Sequence, residues 1–194
     1  RKDHARTLVE TAAARVSRAG ADVLVRINSE PEMAARDVDA SVGPNVAALS
    51  LSKVETVDQL RRLDQLTTEA EMRRGLPQGV TRFLVLIESA SALLRIADIA
   101  TGCERNVAIT LGAEDFSLAL GVEPGESVVV MAKQQLIIAA AAAGIMPLGV
   151  IGSVAGFEDP AGYLEMAKRS RRFGYVGASC IHPAHVPREL GDRA

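Results

Sequence analysis

Five charged or polar positions follow or close short apolar runs in this chain. Arg26 stands near the end of residues 22–28, Lys53 ends 46–53, and Glu88 ends 82–88. Residues 107–112 lead into Gly112-Ala113-Glu114-Asp115, and His182 follows 175–181. Two carboxylates on neighbouring runs, Glu88 and Asp115, suit a hard divalent cation. Mg²⁺ takes oxygen ligands, accepts one or two protein carboxylates and keeps positions for water and substrate. Glu114 adjoins Asp115, with its side chain expected to point elsewhere. Arg26 brings a planar, permanently charged guanidinium to the same set of ends. Backbone amides at Gly112 and Ala113 would add donors.

Other chemistries find less support. Any single polar residue at a strand end is as readily a loop residue that has reached water; recurrence over most of the runs is what argues for convergence. A zinc site is disfavoured, because Cys103 and Cys180 are far apart and no C-x-x-C or H-x-x-x-H pair occurs. Pro183 prevents a regular helical pairing of His182 with His185. No G-x-S-x-G elbow is present. Lys53 could in principle form a Schiff base, but two carboxylates near it favour a metal.

The elements that must hold these groups alternate. Apolar residues at Leu8, Ala12, Ala13 and Val16 recur at helical spacing and predict a helix ending near Gly20. A short helix is expected over 31–38. Thr56 and Gln59 have capping-box spacing ahead of a helix to about Gly75. Leu93, Ile96 and Ile99 mark one helix, and a long one follows the 121–125 loop to Gly144. Residues 147–151 read as a weaker strand. Asp159-Pro160 reads as an N-cap with Pro in the first helical position. Helices between near-continuous apolar strands predict a parallel sheet covered on both faces. No G-x-G-x-x-G follows a strand, which weakens an open nucleotide-binding sheet. In a closed barrel the strand ends share one rim, where barrel enzymes carry their active sites. The expectation is therefore a TIM (β/α)8 barrel with Arg26, Lys53, Glu88, Asp115 and His182 at one end.

Composition narrows the partners. The chain has 194 residues, 48% hydrophobic, 24% charged and 3% aromatic, with a formal net charge of −2. That favours one domain with a core of Ala, Val, Leu and Ile. Few aromatics and no basic excess argue against nucleic acid. No apolar run reaches membrane-spanning length, no signal peptide is evident, and two cysteines make no disulfide framework, so a cytoplasmic location is expected. The chain opens on Arg1-Lys2-Asp3, directly in a helical pattern, and reads as a piece of a longer protein.

Five short motifs occur in order: Val25-Arg26-Ile27-Asn28, Leu51-Ser52-Lys53-Val54-Glu55, Leu86-Ile87-Glu88-Ser89-Ala90, Gly112-Ala113-Glu114-Asp115-Phe116 and Cys180-Ile181-His182-Pro183. Together they resemble the HpcH/HpaI aldolase and citrate lyase β-subunit superfamily. The Gly-Ala-Glu-Asp and Ile-His-Pro pieces point to its citrate lyase β-like and malyl-CoA lyase branch.

The resemblance implies a TIM barrel of which residues 1–194 are a single domain covering roughly strands three to eight, without the first strands and the C-terminal lid. It implies Mg²⁺ on Glu88 and Asp115, and Arg26 as a catalytic residue that also holds substrate, with Lys53, Gly112, Ala113 and His182 as further substrate-binding candidates. Substrates would be citryl, malyl or citramalyl thioesters of CoA or acyl-carrier protein, cleaved to an acetyl thioester and an oxo acid. A homotrimer or homohexamer is implied. The rivals are a class II pyruvate aldolase of 4-hydroxy-2-oxo acids and a non-catalytic thioester-binding homologue. Two departures stand out: Ser52 occupies a position that is usually Pro, and residues 151–157 lack an Asp that many members carry.

Overall fold

The computed structural model describes residues 1–152 and 159–180. Its sheet has five strands: β1 (Leu24–Ile27), β2 (Ala48–Leu51), β3 (Arg82–Ile87), β4 (Asn106–Leu111) and β5 (Met146–Leu148). They are parallel and lie in chain order. Helices cover the sheet: α1 (Lys2–Ser17), α2 (Pro31–Ser41), α3 (Val57–Arg73), α4 (Ala90–Leu93), α5 (Ile96–Thr101), α6 (Ala113–Leu120), α7 (Ser127–Ala143) and α8 (Pro160–Phe173). Parallel crossovers are right-handed almost without exception. An order that never reverses therefore puts every connecting helix on one face, which is the arc of a (β/α)8 barrel. A doubly wound sheet needs a reversal, and there is none among the described strands.

The two faces of the sheet differ accordingly. Ile27, Leu49, Leu51, Phe83, Val85, Ile87 and Ile109 point toward the helices and are nearly inaccessible. They pack with Leu60, Ile99, Ala132 and Leu136 in one core. Side chains alternate along a strand, so Arg26, Leu84, Leu86, Ala108 and Thr110 belong to the other, lumenal face. At its margins Leu24 and Met146 are each 48% exposed.

Local chemistry sets the ends of the elements. The Thr56 hydroxyl accepts from Gln59 N at 3.2 Å, and the Gln59 side chain accepts from Glu55 N at 3.0 Å. Asp159 accepts from Gly162 N at 2.9 Å, with Pro beginning α8. Ser52 donates its hydroxyl to Ile27 O at 3.0 Å and so ties β2 to β1 just past the ladder; proline at that position would lack this tether.

Two expectations need correction. The single helix through Leu93 and Ile99 is two short ones, α4 and α5, and Ser89 caps the first by accepting from Ala92 N at 3.0 Å. Between β4 and the 121–125 loop, where the sequence predicts no element, α6 begins at Ala113. The sixth strand expected from Tyr175 is, over the described residues, one parallel bridge between Leu148 and Gly177. The bonds Val176 N to Pro147 O (3.1 Å) and Gly149 N to Gly177 O (2.8 Å) still place it beside β5.

Candidate active site

Glu88 is the next lumenal position after Leu84 and Leu86, one step past the end of β3. It is only 8% exposed. Its Oε2 accepts from Lys53 N at 2.8 Å, and its Oε1 lies 3.7 Å from Arg26 Nη2. Lys53 delivers that amide from a left-handed conformation, φ 52°, found at no other non-glycine residue described. Such backbone strain collects at functional sites and costs about 1–3 kcal/mol. Across the ladder, a Cβ on Gly112 would stand 2.6 Å from Glu88 Cγ and 3.0 Å from Oε1. Glycine at 112 is what gives the carboxylate its space.

Burial pushes the Glu88 carboxyl above its usual range. The Lys53 amide and the Arg26 charge pull it down, Asp115 pushes it up again, and the exposed Lys53 ammonium lowers it least. Arg26 compensates weakly because its side chain is 63% exposed. The carboxylate is thus buried beside a second acid with too little positive charge to match.

Glu88, Asp115 and Arg26 line a cavity of about 340 Å³ at the C-terminal ends of the strands. Gly112 and Ala113 line it too. The Gly112 amide is spent on Ile87 O at 2.9 Å, so it is not a free donor. Ala113 opens α6, where first-turn amides have no intrahelical acceptor. The Lys53 side chain faces a neighbouring depression shared with Arg26, Asn28 and Ser52. His182 lies outside the described residues.

Several lining residues carry no signal at strand ends. Glu114 lines the cavity, although its side chain was expected to point elsewhere. Lys133 comes from the middle of α7, and Tyr175 from beyond α8. Burial pushes the Tyr175 hydroxyl up to about 12, so it stays protonated at neutral pH. Lys133 stands beside Gln134 and Gln135 in α7, and its spacing gave no sign that it reaches the cavity.

The donor set suits a hard cation. Glu88 and Asp115 present oxygen alone, and the buried carboxylate lacks a full counter-charge. Among the described residues no group of three Asp, Glu, His or Cys could hold a metal. A cation here would keep most of its positions for water and substrate, as Mg²⁺ does.

A parallel barrel arc with paired carboxylates and an arginine at its C-terminal rim defines a class of barrel enzyme. The chain belongs to the HpcH/HpaI aldolase/citrate lyase family, whose model matches residues 1–183. It is 30% identical over 188 residues to the citrate lyase subunit beta of Leuconostoc mesenteroides subsp. cremoris, covering 95% of this chain and 62% of that protein. It is 28% identical over 169 residues to an L-malyl-CoA/beta-methylmalyl-CoA lyase of Cereibacter sphaeroides, covering 77% and 52%. The citrate lyase beta subunit of M. tuberculosis, solved with oxaloacetate and magnesium, superposes with a TM-score of 0.67 at 25% identity, over 84% of this chain and 69% of that one. A malate synthase of Haloferax volcanii shares the fold, with a TM-score of 0.79 at 20% identity over 93% and 54%. The chain thus spans less than two thirds of the length of the curated relatives it matches.

Proposed function

We propose that the protein is a carbon–carbon lyase that splits a hydroxyacyl thioester of the citryl, malyl or citramalyl type, on CoA or acyl-carrier protein, into an acetyl thioester and an oxo acid. The observation that carries this reading is the buried, under-compensated Glu88 facing the same cavity as Asp115 and Arg26. These carboxylates would hold one Mg²⁺, which when bound polarises the reacting oxygen and chelates the neighbouring carboxylate. The relatives named lyases support the chemistry, and the neighbour solved with magnesium and oxaloacetate supports the cation.

In this reaction the substrate hydroxyl loses its proton and becomes the carbonyl of the oxo acid. The carbon–carbon bond breaks, its electron pair passes to the acetyl thioester as an enolate, and a proton then closes that carbon. Arg26 offers a fork to the substrate carboxylate or charge to the enolate oxygen. The Ala113 amide, at the start of α6, can donate to a developing oxyanion. Lys53 shapes the site by its backbone, and its exposed ammonium lies within reach of a longer substrate. No acid for the last proton stands out among the described residues.

The same reading assigns the chain to strands three to eight of a closed barrel. The half-exposed Leu24 and Met146 on the lumenal face suit residues that further strands would cover. A homotrimer or homohexamer and a cytoplasmic setting belong to this reading as well; no described helix is long and apolar enough to cross a membrane.

The test is release of an oxo acid from malyl-CoA or citramalyl-CoA by the full-length protein. Cleavage should require Mg²⁺, fall with Asp115→Asn, and fall with Arg26→Lys at unchanged Mg²⁺ affinity. Cleavage that survives both chelation and Asp115→Asn removes the metal assignment. Cleavage of a free 4-hydroxy-2-oxo acid, but of no thioester, replaces this reading with a pyruvate aldolase.

A further inference from the structure

Lys133 stands in the middle of α7 and is 2% exposed, yet it lines the cavity. Its Nζ donates to Ile151 O at 3.0 Å and to Gly152 O at 3.1 Å, two carbonyls just past β5. Both acceptors are neutral. Glu114 acts on the ammonium from beyond ion-pair distance, and burial lowers its pKa. An ammonium has three donors, so two carbonyls leave one N–H and the charge unmatched among the described residues. Buried charges are retained where a partner meets them.

The charges of the cavity say what kind of partner fits. Glu88, Glu114 and Asp115 face Arg26 and Lys133, which leaves one net negative charge among the described lining residues. A divalent cation would turn that into one net positive charge, and Lys133 supplies it. Without Lys133 the loaded cavity would be neutral and would have little preference for an anion.

We propose that Lys133 is a substrate-binding residue that takes a carboxylate oxygen on the β5 side of the cavity, while Arg26 serves the β1 side. This rests on the reading of the cavity as a site for carboxylate-bearing substrates. The two carbonyls fix the ammonium, so its remaining N–H is held in place before the substrate arrives. A cation at each side makes the site selective for substrates whose cleaved part carries a second anionic group.

The experiment is calorimetric binding of oxaloacetate and of pyruvate to the Mg²⁺-loaded full-length protein, compared with Lys133→Met and Lys133→Arg. Losing one hydrogen bond to a charged group should weaken oxaloacetate binding in Lys133→Met by roughly 10- to 150-fold. Pyruvate should lose less, and Mg²⁺ affinity, titrated separately, should hold. Lys133→Arg keeps the charge and should recover part of the affinity. Should Lys133→Met not fold, Lys133→Gln keeps a donor for the carbonyls without the charge and carries the same comparison. Oxaloacetate affinity equal to wild type in a folded, charge-free variant overturns the proposal and leaves Lys133 as a loop clamp. An equal loss in Lys133→Arg overturns it too, since shape rather than charge would then matter. Wild-type protein that binds neither oxo acid overturns the functional reading and this one with it. Binding by wild type with no effect of Lys133→Met overturns this one alone.

Discussion

Glu71 and Glu88 are both buried carboxylates of one small sheet protein, and they are treated in opposite ways. Glu71 is fully inaccessible near the N-terminal ends of the strands. Arg105 meets it with two parallel bonds of 2.8 Å, and the amides of Gly79 and Thr81 add two more at 2.8 Å. The remaining donors of Arg105 go to Asp64, to Thr81 O at 2.9 Å and to Thr68 Oγ1 at 2.7 Å. Every guanidinium donor has an acceptor. At the opposite end of the strands, Glu88 has one amide bond and an exposed arginine at 3.7 Å. A carboxylate whose partners are complete is architecture. One left short of positive charge is prepared for something that arrives.

Glu88→Gln is the sharpest way to break the contrast, and the largest effect is expected from it. Mg²⁺ binding by calorimetry should be lost, and thioester cleavage should fall by several kcal/mol of transition-state stabilisation. In the same variant the metal-free protein should melt higher at neutral pH. Burial raises the Glu88 carboxyl, so ionising it costs folded-state stability as pH rises from the ordinary carboxylate range through the raised value. Unchanged Mg²⁺ affinity would remove Glu88 from the site.

Glu71→Gln should do the reverse. It leaves Arg105 buried without its counter-charge, and breaking a buried pair from one side costs about 3–5 kcal/mol, read by denaturant unfolding. Its pH dependence also has the opposite sign. Burial pushes Glu71 up, but Arg105 and the amides of Thr81 and Gly79 outweigh it and hold the carboxyl below its usual range. The stability it contributes is complete above the ordinary carboxylate pKa and is lost as pH falls through the depressed folded value. The acid limb of a stability–pH curve should flatten in Glu71→Gln. An equally steep limb would show that other groups cause it.

Gly112→Ala tests the contrast by space alone. Its Cβ would press on Glu88 Cγ at 2.6 Å. Overpacking of this kind costs about 1–3 kcal/mol, and Mg²⁺ affinity should fall with it; affinity at the wild-type level would show that Glu88 can move aside freely. Lys53→Gly is the smallest step. Glycine adopts the left-handed conformation without the penalty of about 1–2 kcal/mol paid by other residues, so stability should rise slightly while the amide still meets Glu88. A rise in KM in that variant would assign the Lys53 side chain to substrate.

Much of this was legible in sequence because strand ends are. Arg26, Glu88 and Asp115 follow or close apolar runs, and a parallel barrel gathers such positions on one rim. Asp159-Pro160 announced α8, and Thr56 with Gln59 announced α3, since caps are local chemistry. The split between α4 and α5 was hidden, because Leu93, Ile96 and Ile99 keep helical spacing across it. The helix after Gly112 was hidden by the motif on which it starts. Lys133 was invisible for a different reason: its place in the cavity depends on how α7 packs against the end of β5, and no spacing encodes that. The Glu71–Arg105 pair is likewise a long-range meeting of two charged residues that look like ordinary surface.

The unbroken strand order has a consequence for how the molecule is made. Each strand pairs with the next one along the chain, from Leu24 against Ala48 to Thr110 against Leu148. Among the described strands none waits for a distant partner, so this part of the sheet can lengthen one β–α step at a time as the polypeptide leaves the ribosome. Loop-closure entropy grows with the logarithm of loop length, and short successive closures keep each step affordable. The parallel bridge of Gly177 on Leu148 is then the next addition to that growing edge.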